Sequence, residues 1–239
     1  MRYKSTQTER EIDMVFTFWE GKMPAYIQLC MDTWKFPYIV LNYEILQNYT
    51  DLKVDDKLRR FSLPQIADVV RVHVLRDNGG YWLDADTVSI TGELPEETIM
   101  GDPNTRINTI GFLHTSKDSP MFTKWAEYQD KILSDLNPSH AWYIMGNGFT
   151  DGYLRDHRDV QITPVENRWA ETYSIPGTDS RYSKYQRFYF NESHNIQELK
   201  PTDLLMLHNS WTPRWYKEFN KEQVLTHKCT LSNILRELI

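Results

Sequence analysis

The spacing of apolar and polar positions predicts alternating strands and helices at the start of the chain. The β-branched and aromatic run from Asp13 to Gly21 predicts a strand, which the glycine ends. Met23–Lys35 has apolar residues at helical spacing with Pro24 in its first turn, and Tyr43–Leu46 is a short strand candidate. This order is typical of nucleotide-binding α/β proteins, whose ligands lie beyond the carboxyl ends of the strands.

The segment from 61 to 80 carries two conflicting patterns. Residues 70–74 alternate like a strand and are rich in valine. Ser62 and Gln65, however, form a capping box, and Asn78-Gly79-Gly80 is a strong helix stop. We therefore predict a helix.

After that helix, the run from Tyr81 to Ala85 predicts a short strand. Its alternation would place Trp82, Asp84 and Asp86 on one side. On the preceding helix, Asp68 and Arg71 are three residues apart and share a face, where they can form an ion pair.

Four later segments have recognisable patterns. We predict a strand over Thr109–Ser116, a helix over Pro120–Leu133, and a buried strand over Asp203–Trp211 that ends in polar residues. His140–Leu154 mixes aromatic residues with glycines, as loops that contact ligands often do.

Composition limits the class of protein. The 239 residues, 40% of them hydrophobic, predict one domain spanning 1–239. The net charge of −6, spread without long runs, disfavours nucleic acid or an anionic membrane as partner. No apolar run predicts export or a membrane span, so we expect a cytoplasmic location with at most peripheral membrane contact.

Two residue types give further expectations. Cys30 and Cys229 are expected to be buried thiols, and some of the abundant aromatic residues are expected to line a stacking site.

Asp84 and Asp86 need an explanation, because like charges two positions apart on a strand repel. At roughly 7 Å, and with an effective dielectric near 20, the repulsion is about 2 kcal/mol. A shared proton, a divalent cation or simple hydration at the strand end could each offset it. For an isolated D-x-D sequence, hydration is the most common answer.

The surroundings of these aspartates resemble a known family. The segment "ADVVRVHVLRDNGGYWLDADT" resembles the signature of family 32 glycosyltransferases, which contain a DXD motif and occur as yeast mannosyltransferases, animal transferases and bacterial capsule enzymes. The residues in register are Asp68, Arg71, Gly79, Gly80, Tyr81, Asp84 and Asp86. "FTFWEGKMPAYIQLCMDTWK" and "LHNSW" are similar to the opening and closing segments of the family. "MGNGF" departs from its Thr-Gly-Pro turn at Met145 and Asn147.

The resemblance implies a GT-A fold, which is a Rossmann-like α/β domain with a mixed central sheet. It implies transfer of a hexose from a nucleotide sugar, expected to be UDP-linked, with retention of configuration and with Mn²⁺ or Mg²⁺ as cofactor. The acceptor would be a glycan or lipid-linked glycan in capsule or surface polysaccharide synthesis.

The resemblance also implies roles for individual residues. Asp86 and His208 would hold the metal, and Asp84 would face hydroxyls of the ribose or donor sugar. The remaining donor-site candidates are Phe18, Trp19, Asp68, Arg71, Gly80, Tyr81 and Trp211. Independently of the resemblance, Asn147 and Asp151 are candidates for the reacting face because they lie in the glycine-rich segment, and with Asp84 and Asp86 they complete the predicted catalytic set.

Two other functions are compatible with parts of the sequence. "LDADT" also resembles the D-x-D-x-T loop of haloacid dehalogenase phosphatases, although about 80 residues precede it here. A carbohydrate-binding protein without enzymatic activity would explain the aromatic residues but not the set of Asp68, Arg71, Asp84 and Asp86.

Overall fold

The computed structural model describes residues 14–102, 104–164, 169–170, 180–198 and 203–239. The strands are β1 Val15–Phe18, β2 Tyr38–Leu41, β3 Gly80–Leu83, β4 Thr87–Ser89, β5 Ile99–Gly101, β6 Asn108–Thr115, β7 Ile162–Pro164, β8 Trp169–Ala170 and β9 Leu204–Met206. The helices are α1 Ala25–Asp32, α2 Asp56–Arg59, α3 Leu63–Asn78, α4 Pro120–Ser134, α5 Asn147–Asp156, α6 Arg181–Gln186, α7 Arg214–Lys217, α8 Lys221–Thr226 and α9 Thr230–Leu238. Within these ranges, none of the helices combines the length and apolar character needed to cross a bilayer.

The strands form two sheets. The larger has the order β2-β1-β3-β6-β5-β7 and mixes parallel pairs, such as β1 with β2 and β3, with antiparallel pairs, such as β6 with β3 and β5. The smaller has the order β4-β9-β8. The predicted α/β class with a mixed central sheet is confirmed.

Alternating strand residues of the larger sheet enter two hydrophobic cores. Val15 and Leu83 pack with α1, the smaller sheet and the carboxyl-terminal helices. Phe16 and Trp82 point to the other side and pack with α3, α4 and α5. The sheet is therefore covered on both faces, and its strand ends are left to form a site.

The capping signals in the sequence correctly predicted both ends of α3. The Ser62–Gln65 capping box is present, and the helix ends before Gly79, which has a φ of +72°. The predictions for β1, α1, α4, β6 and β9 are also confirmed. Cys30 and Cys229 are buried thiols, as expected.

Two predicted elements differ from the structure. The strand predicted over Tyr43–Leu46 is wrong, because Asn42 Oδ1 accepts the N–H groups of Glu44 and Ile45 and turns the chain. The strand is β2, just before that turn. The loop predicted over His140–Leu154 is wrong from Asn147 onward, where α5 begins.

Candidate active site

A cleft of about 1380 Å³ opens where β1 and β3 end. The parallel pairing of these strands brings their carboxyl ends to the same edge of the sheet. The predicted site residues that line the cleft are Phe18, Trp19, Asp68, Arg71, Asp84, Asp86, Asn147 and His208. Gly80, Tyr81, Asp151 and Trp211 are not among its lining residues.

Arg71 lies between two carboxylates in the cleft. Its Nη2 is 2.9 Å from Asp68 Oδ1 and 3.2 Å from Asp84 Oδ1. The guanidinium also donates to the Ile110 carbonyl and lies over the Trp82 ring, 5.0 Å from its centroid. The Trp82 indole N–H donates to Asp84 Oδ1 at 2.9 Å. Because Arg71 is buried, this charge-assisted network fixes both carboxylates in place.

Asp84 and Asp86 lie on a turn. β3 ends at Leu83, and the Thr87 N–H donates to the Asp84 carbonyl at 2.9 Å. From Thr87 the chain continues into the smaller sheet as β4. The prediction that strand alternation aligns Trp82, Asp84 and Asp86 is therefore wrong for Asp86, because the strand geometry stops before it.

Two hydrogen bonds connect Asp86 to the protein core. Its Oδ2 accepts the Asn209 backbone N–H at 2.6 Å. The Asn209 side-chain oxygen in turn accepts the hydroxyl of Tyr26, also at 2.6 Å. Tyr26 belongs to α1 and is fully buried. Helix α1 thus holds the segment after β9 against the Asp86 carboxylate.

Two carboxyl groups of the cleft have raised pKa values. Burial raises the pKa of Asp68 to about 7, with repulsion from Asp84 adding to it and Arg71 opposing it. Burial, followed by repulsion from Asp84, raises the pKa of Asp86 to about 7, against the lowering effects of the Asn209 N–H and of His208. A ligand of positive charge would therefore stabilise the ionised carboxylates.

The end of β1 carries polar groups that lack a protein partner. Within the described residues, Thr17 Oγ1 and Trp19 Nε1 are buried, line the cleft and make no hydrogen bond. The Trp19 backbone is fixed, because its N–H donates to the Leu41 carbonyl at 2.9 Å. An unsatisfied buried donor costs about 1–3 kcal/mol, so a ligand acceptor at this position would be favoured.

The segment after β9 adds a histidine and an aromatic group. The His208 ring lies 4.1 Å from that of Trp211, centroid to centroid. The His208 backbone N–H donates to the Tyr185 hydroxyl at 3.0 Å, and Arg181, which lines the cleft, lies over Trp211. Trp211 therefore contacts two residues that line the cleft, His208 and Arg181, without lining it itself.

Asn147, at the start of α5, is held by β6. Its side-chain N–H donates to Asn108 Oδ1 at 3.0 Å, and the Thr150 hydroxyl donates to the same oxygen at 2.9 Å. Asp151, by contrast, is exposed and accepts the Asn108 amide at 3.2 Å. Only Asn147 of the two predicted reacting-face candidates reaches the cleft lining.

Gly80 and Tyr81 lie within the fold. A Cβ on Gly80 would be 2.5 Å from the Met14 carbonyl oxygen, so the glycine permits close packing of β3 on the chain that leads into β1. The Tyr81 ring stacks on His114 at 4.0 Å and contacts Phe112. The structure thus gives both residues packing roles and does not bring them to the cleft.

The donor set suits Mn²⁺ or Mg²⁺ in an open site. Among the residues that the structure describes, no three His, Cys, Asp or Glu side chains converge to enclose a metal ion. These ions are commonly held by one or two carboxylates together with substrate phosphates, without a complete protein cage. Asp86, with its raised pKa and with Asp84 nearby, fits that arrangement.

Sequence reasoning missed Tyr26, Asn209, Trp142 and Tyr143. Tyr26 and Asn209 are 183 residues apart, so no local pattern could connect them. Trp142 and Tyr143 lie in a segment with a recognisable signal, because adjacent aromatic residues precede glycines there. Without the fold, nothing indicated that these two side chains face the cleft.

The mixed sheet and the acidic cleft at its strand ends define the class, an α/β protein built to bind a ligand beside paired carboxylates. Residues 1–175 match the family model described as "Capsular polysaccharide synthesis protein". The chain belongs to this family.

The chain is also similar to two solved glycosyltransferase structures. One, "PaToxG Glycosyltransferase", has 14% identity and a TM-score of 0.40, covering 61% of this chain and 69% of that one. The other, "a glycosyltransferase involved in the glycosylation of the major capsid of PBCV-1", has 8% identity and a TM-score of 0.37, covering 72% of this chain and 97% of that one. No curated protein matches the chain.

Proposed function

We propose that this protein is a glycosyltransferase, specifically a metal-dependent, retaining hexosyltransferase of the GT-A fold. Its donor is a UDP-sugar, and its acceptor is a glycan or lipid-linked glycan of a capsule or surface polysaccharide. The observation that carries the proposal is the Asp68–Arg71–Asp84 network beside Asp86 in the cleft. Retention rests on the family resemblance, and cytoplasmic location with at most peripheral membrane contact stays a prediction from the sequence.

The reaction breaks the bond between the anomeric carbon and a diphosphate oxygen, and it forms a bond between that carbon and an acceptor hydroxyl oxygen, whose proton is released. Negative charge then develops on the leaving nucleoside diphosphate. Asp86, with His208 beside it, would hold a divalent cation, which supplies positive charge for that diphosphate. The site would thus promote bond cleavage mainly by electrostatic stabilisation of the leaving diphosphate.

Three side chains would bind and orient the donor. Arg71 and Trp82 both engage Oδ1 of Asp84, so Oδ2 can face a ribose or sugar hydroxyl. Asp68, on the other side of Arg71, offers a second acceptor for the donor hydroxyls. Trp19 would pack on the base and give its indole N–H to a ligand oxygen.

The phosphatase alternative is less compatible with this geometry. It requires the first aspartate of the D-x-D-x-T loop, here Asp84, as nucleophile. Asp84 follows β3, with β1 and β2 before it in the chain, whereas the nucleophilic aspartate of that loop normally follows the first strand.

The proposal is tested by nucleotide release from a panel of UDP-, GDP- and CMP-sugars, without acceptor, with Mn²⁺ and with chelator. We expect slow, chelator-sensitive hydrolysis of a UDP-sugar. The Asp86→Ala variant should lose about 10²-fold or more of this activity while remaining folded. Asp32→Asn, which changes a carboxylate paired with Lys221 outside the cleft lining, is the control. Chelator-insensitive release, or no release together with no nucleotide binding, would contradict the proposal.

A further inference from the structure

Trp142 and Tyr143 hold their rings in solvent at the rim of the cleft. Their side chains are 64% and 60% exposed, the highest values among the aromatic residues that the structure describes. Both line the cleft. Exposed apolar surface of this size is costly in water, at about 25 cal/mol per Å², and often marks a binding surface.

The backbone beneath these rings is rigidly held. The Met145 carbonyl accepts N–H groups from Trp125 at 2.9 Å and from Gln129 at 2.7 Å. Gln65 donates to the Ala141 carbonyl at 3.2 Å. The exposure of the two rings therefore does not come from a loose loop, and the surface is preorganised.

Asparagine amides of α5 and β6 lie close to the two rings. The Gly148 N–H donates to the Tyr143 carbonyl at 2.8 Å, which ties the aromatic segment to the first turn of α5, where Asn147 and Asn108 pair. Asn108 and Asn147 both line the cleft, as Trp142 and Tyr143 do. Arg71 also lines the cleft, but its guanidinium is engaged by the Ala67 and Ile110 carbonyls and by Asp68 and Asp84. Asp102 adds a carboxylate to the lining, which disfavours a phosphate or carboxylate as occupant.

Rings that stack and amides that hydrogen-bond together suit a neutral sugar. A sugar ring presents C–H groups to an aromatic face and hydroxyls to amides. The volume of about 1380 Å³ exceeds the 300–1,000 Å³ of ordinary ligand pockets, so the cleft can hold two ligands side by side.

We propose that Trp142 and Tyr143 form a stacking platform for a neutral sugar ring of the acceptor glycan, with the Asn147 side chain hydrogen-bonding its hydroxyls. This inference rests on the proposed function, which places the donor at the Asp84–Asp86 end. The platform would then present an acceptor hydroxyl toward the anomeric carbon of the donor.

The test measures binding of maltose, cellobiose, lactose and N-acetyllactosamine by saturation-transfer NMR. We expect the wild type to bind at least one of them, and Trp142→Ala and Tyr143→Ala to bind it about tenfold more weakly. Trp142→Phe, which keeps a ring, should restore most of the affinity. Trp215→Ala removes a tryptophan that is 41% exposed and does not line the cleft, and it should leave sugar binding unchanged.

A parallel titration with UDP and Mn²⁺ separates the two proposals. If the wild type binds UDP but none of the four sugars, or if the alanine variants bind sugar as tightly as the wild type, the platform is refuted and the donor site stands. If the wild type fails to bind UDP with Mn²⁺, the proposed function is refuted. The acceptor role of Trp142 and Tyr143 depends on that function and is then refuted too.

Discussion

Asp86 owes its position to residues far away in the sequence. Asn209 donates its backbone N–H to the carboxylate, and the Tyr26 hydroxyl fixes the Asn209 side chain. Both distances are 2.6 Å, and Tyr26 is fully buried. Tyr26 is thus a positioning residue, which would act on a bound metal only through Asn209 and Asp86.

We expect Tyr26→Phe to weaken Mn²⁺-dependent UDP binding severalfold. Removing the hydroxyl also costs about 0.5–1.5 kcal/mol in the free energy of unfolding, because one buried hydrogen bond is lost. Calorimetric titration of UDP with and without Mn²⁺, together with urea unfolding, measures both effects.

Tyr216→Phe is the matched control. Tyr216 is also fully buried, and its hydroxyl is 3.0 Å from Ser232 Oγ in the same core. Its loss should lower stability by a similar amount without changing UDP binding. Equal effects of both variants on UDP binding would refute the positioning role of Tyr26.

At the scale of elements, the glycines after α3 let β3 begin directly from the helix end. Gly80 has a φ of +86°, and a Cβ there would be 2.5 Å from the Met14 backbone oxygen. The resemblance placed Gly80 in the donor site, whereas the structure shows that its lack of a side chain allows strand packing.

Gly80→Ala should destabilise the protein by about 2–4 kcal/mol, from left-handed backbone strain and the clash with Met14. Gly152→Ala is the control, because nothing lies within 4 Å of its Cβ position and the residue is inside α5. It should be neutral or stabilising by up to about 1 kcal/mol. Thermal unfolding distinguishes the two, and a neutral Gly80→Ala would contradict the packing role.

Elements with local signals could be predicted from the sequence. The capping box and the glycine stop defined α3, and the ion pair between Asp68 and Arg71 followed from helical spacing. The turn from Asp84 to Thr87 could not be predicted, because it depends on strand pairing in two different sheets.

The start of α5 could not be predicted from the sequence either. Gly148 and Gly152 disfavour a helix by propensity. The Phe149 ring stacks on Tyr153 within α5 at 5.2 Å and on Trp125 of α4 at 5.5 Å. The Trp125 contact, which is tertiary, exists only once α4 is in place.

At the scale of the whole molecule, stability should depend on a buried histidine outside the cleft. His73 on α3 is 3% exposed, and its Nε2 lies 3.6 Å from Asp130 Oδ1 on α4. Burial, followed by the charge of Arg76, lowers the pKa of His73 to about 4 from its ordinary 6.5. Between these values the unfolded chain binds a proton that the folded protein does not.

The contribution of His73 to stability is therefore complete above pH 6.5 and is lost as the pH falls toward 4. For one proton the slope is at most about 1.4 kcal/mol per pH unit. Asp68 and Asp86, whose pKa values are raised, change stability in the opposite direction between about pH 4 and 7. The measurement is consequently the difference in unfolding free energy between the wild type and His73→Gln across this range.

His73→Gln should remove the acid-dependent loss, whereas the same change at His140, an exposed histidine, should leave the pH dependence of unfolding as in the wild type. Parallel pH profiles for the wild type and His73→Gln would show that His73 has the same pKa in the folded and unfolded protein, which would contradict this prediction.

The most direct test of the donor site is calorimetric titration of UDP into the wild type and Asp86→Asn, each with Mn²⁺ and with chelator. The asparagine keeps an acceptor for the Asn209 N–H but lacks the charge that a cation requires. We predict that Mn²⁺ tightens UDP binding to the wild type at least about tenfold, equivalent to about 1.4 kcal/mol, and has little effect on the variant. Equal UDP affinity with Mn²⁺ and with chelator in the wild type, or full Mn²⁺ enhancement in Asp86→Asn, would contradict this account.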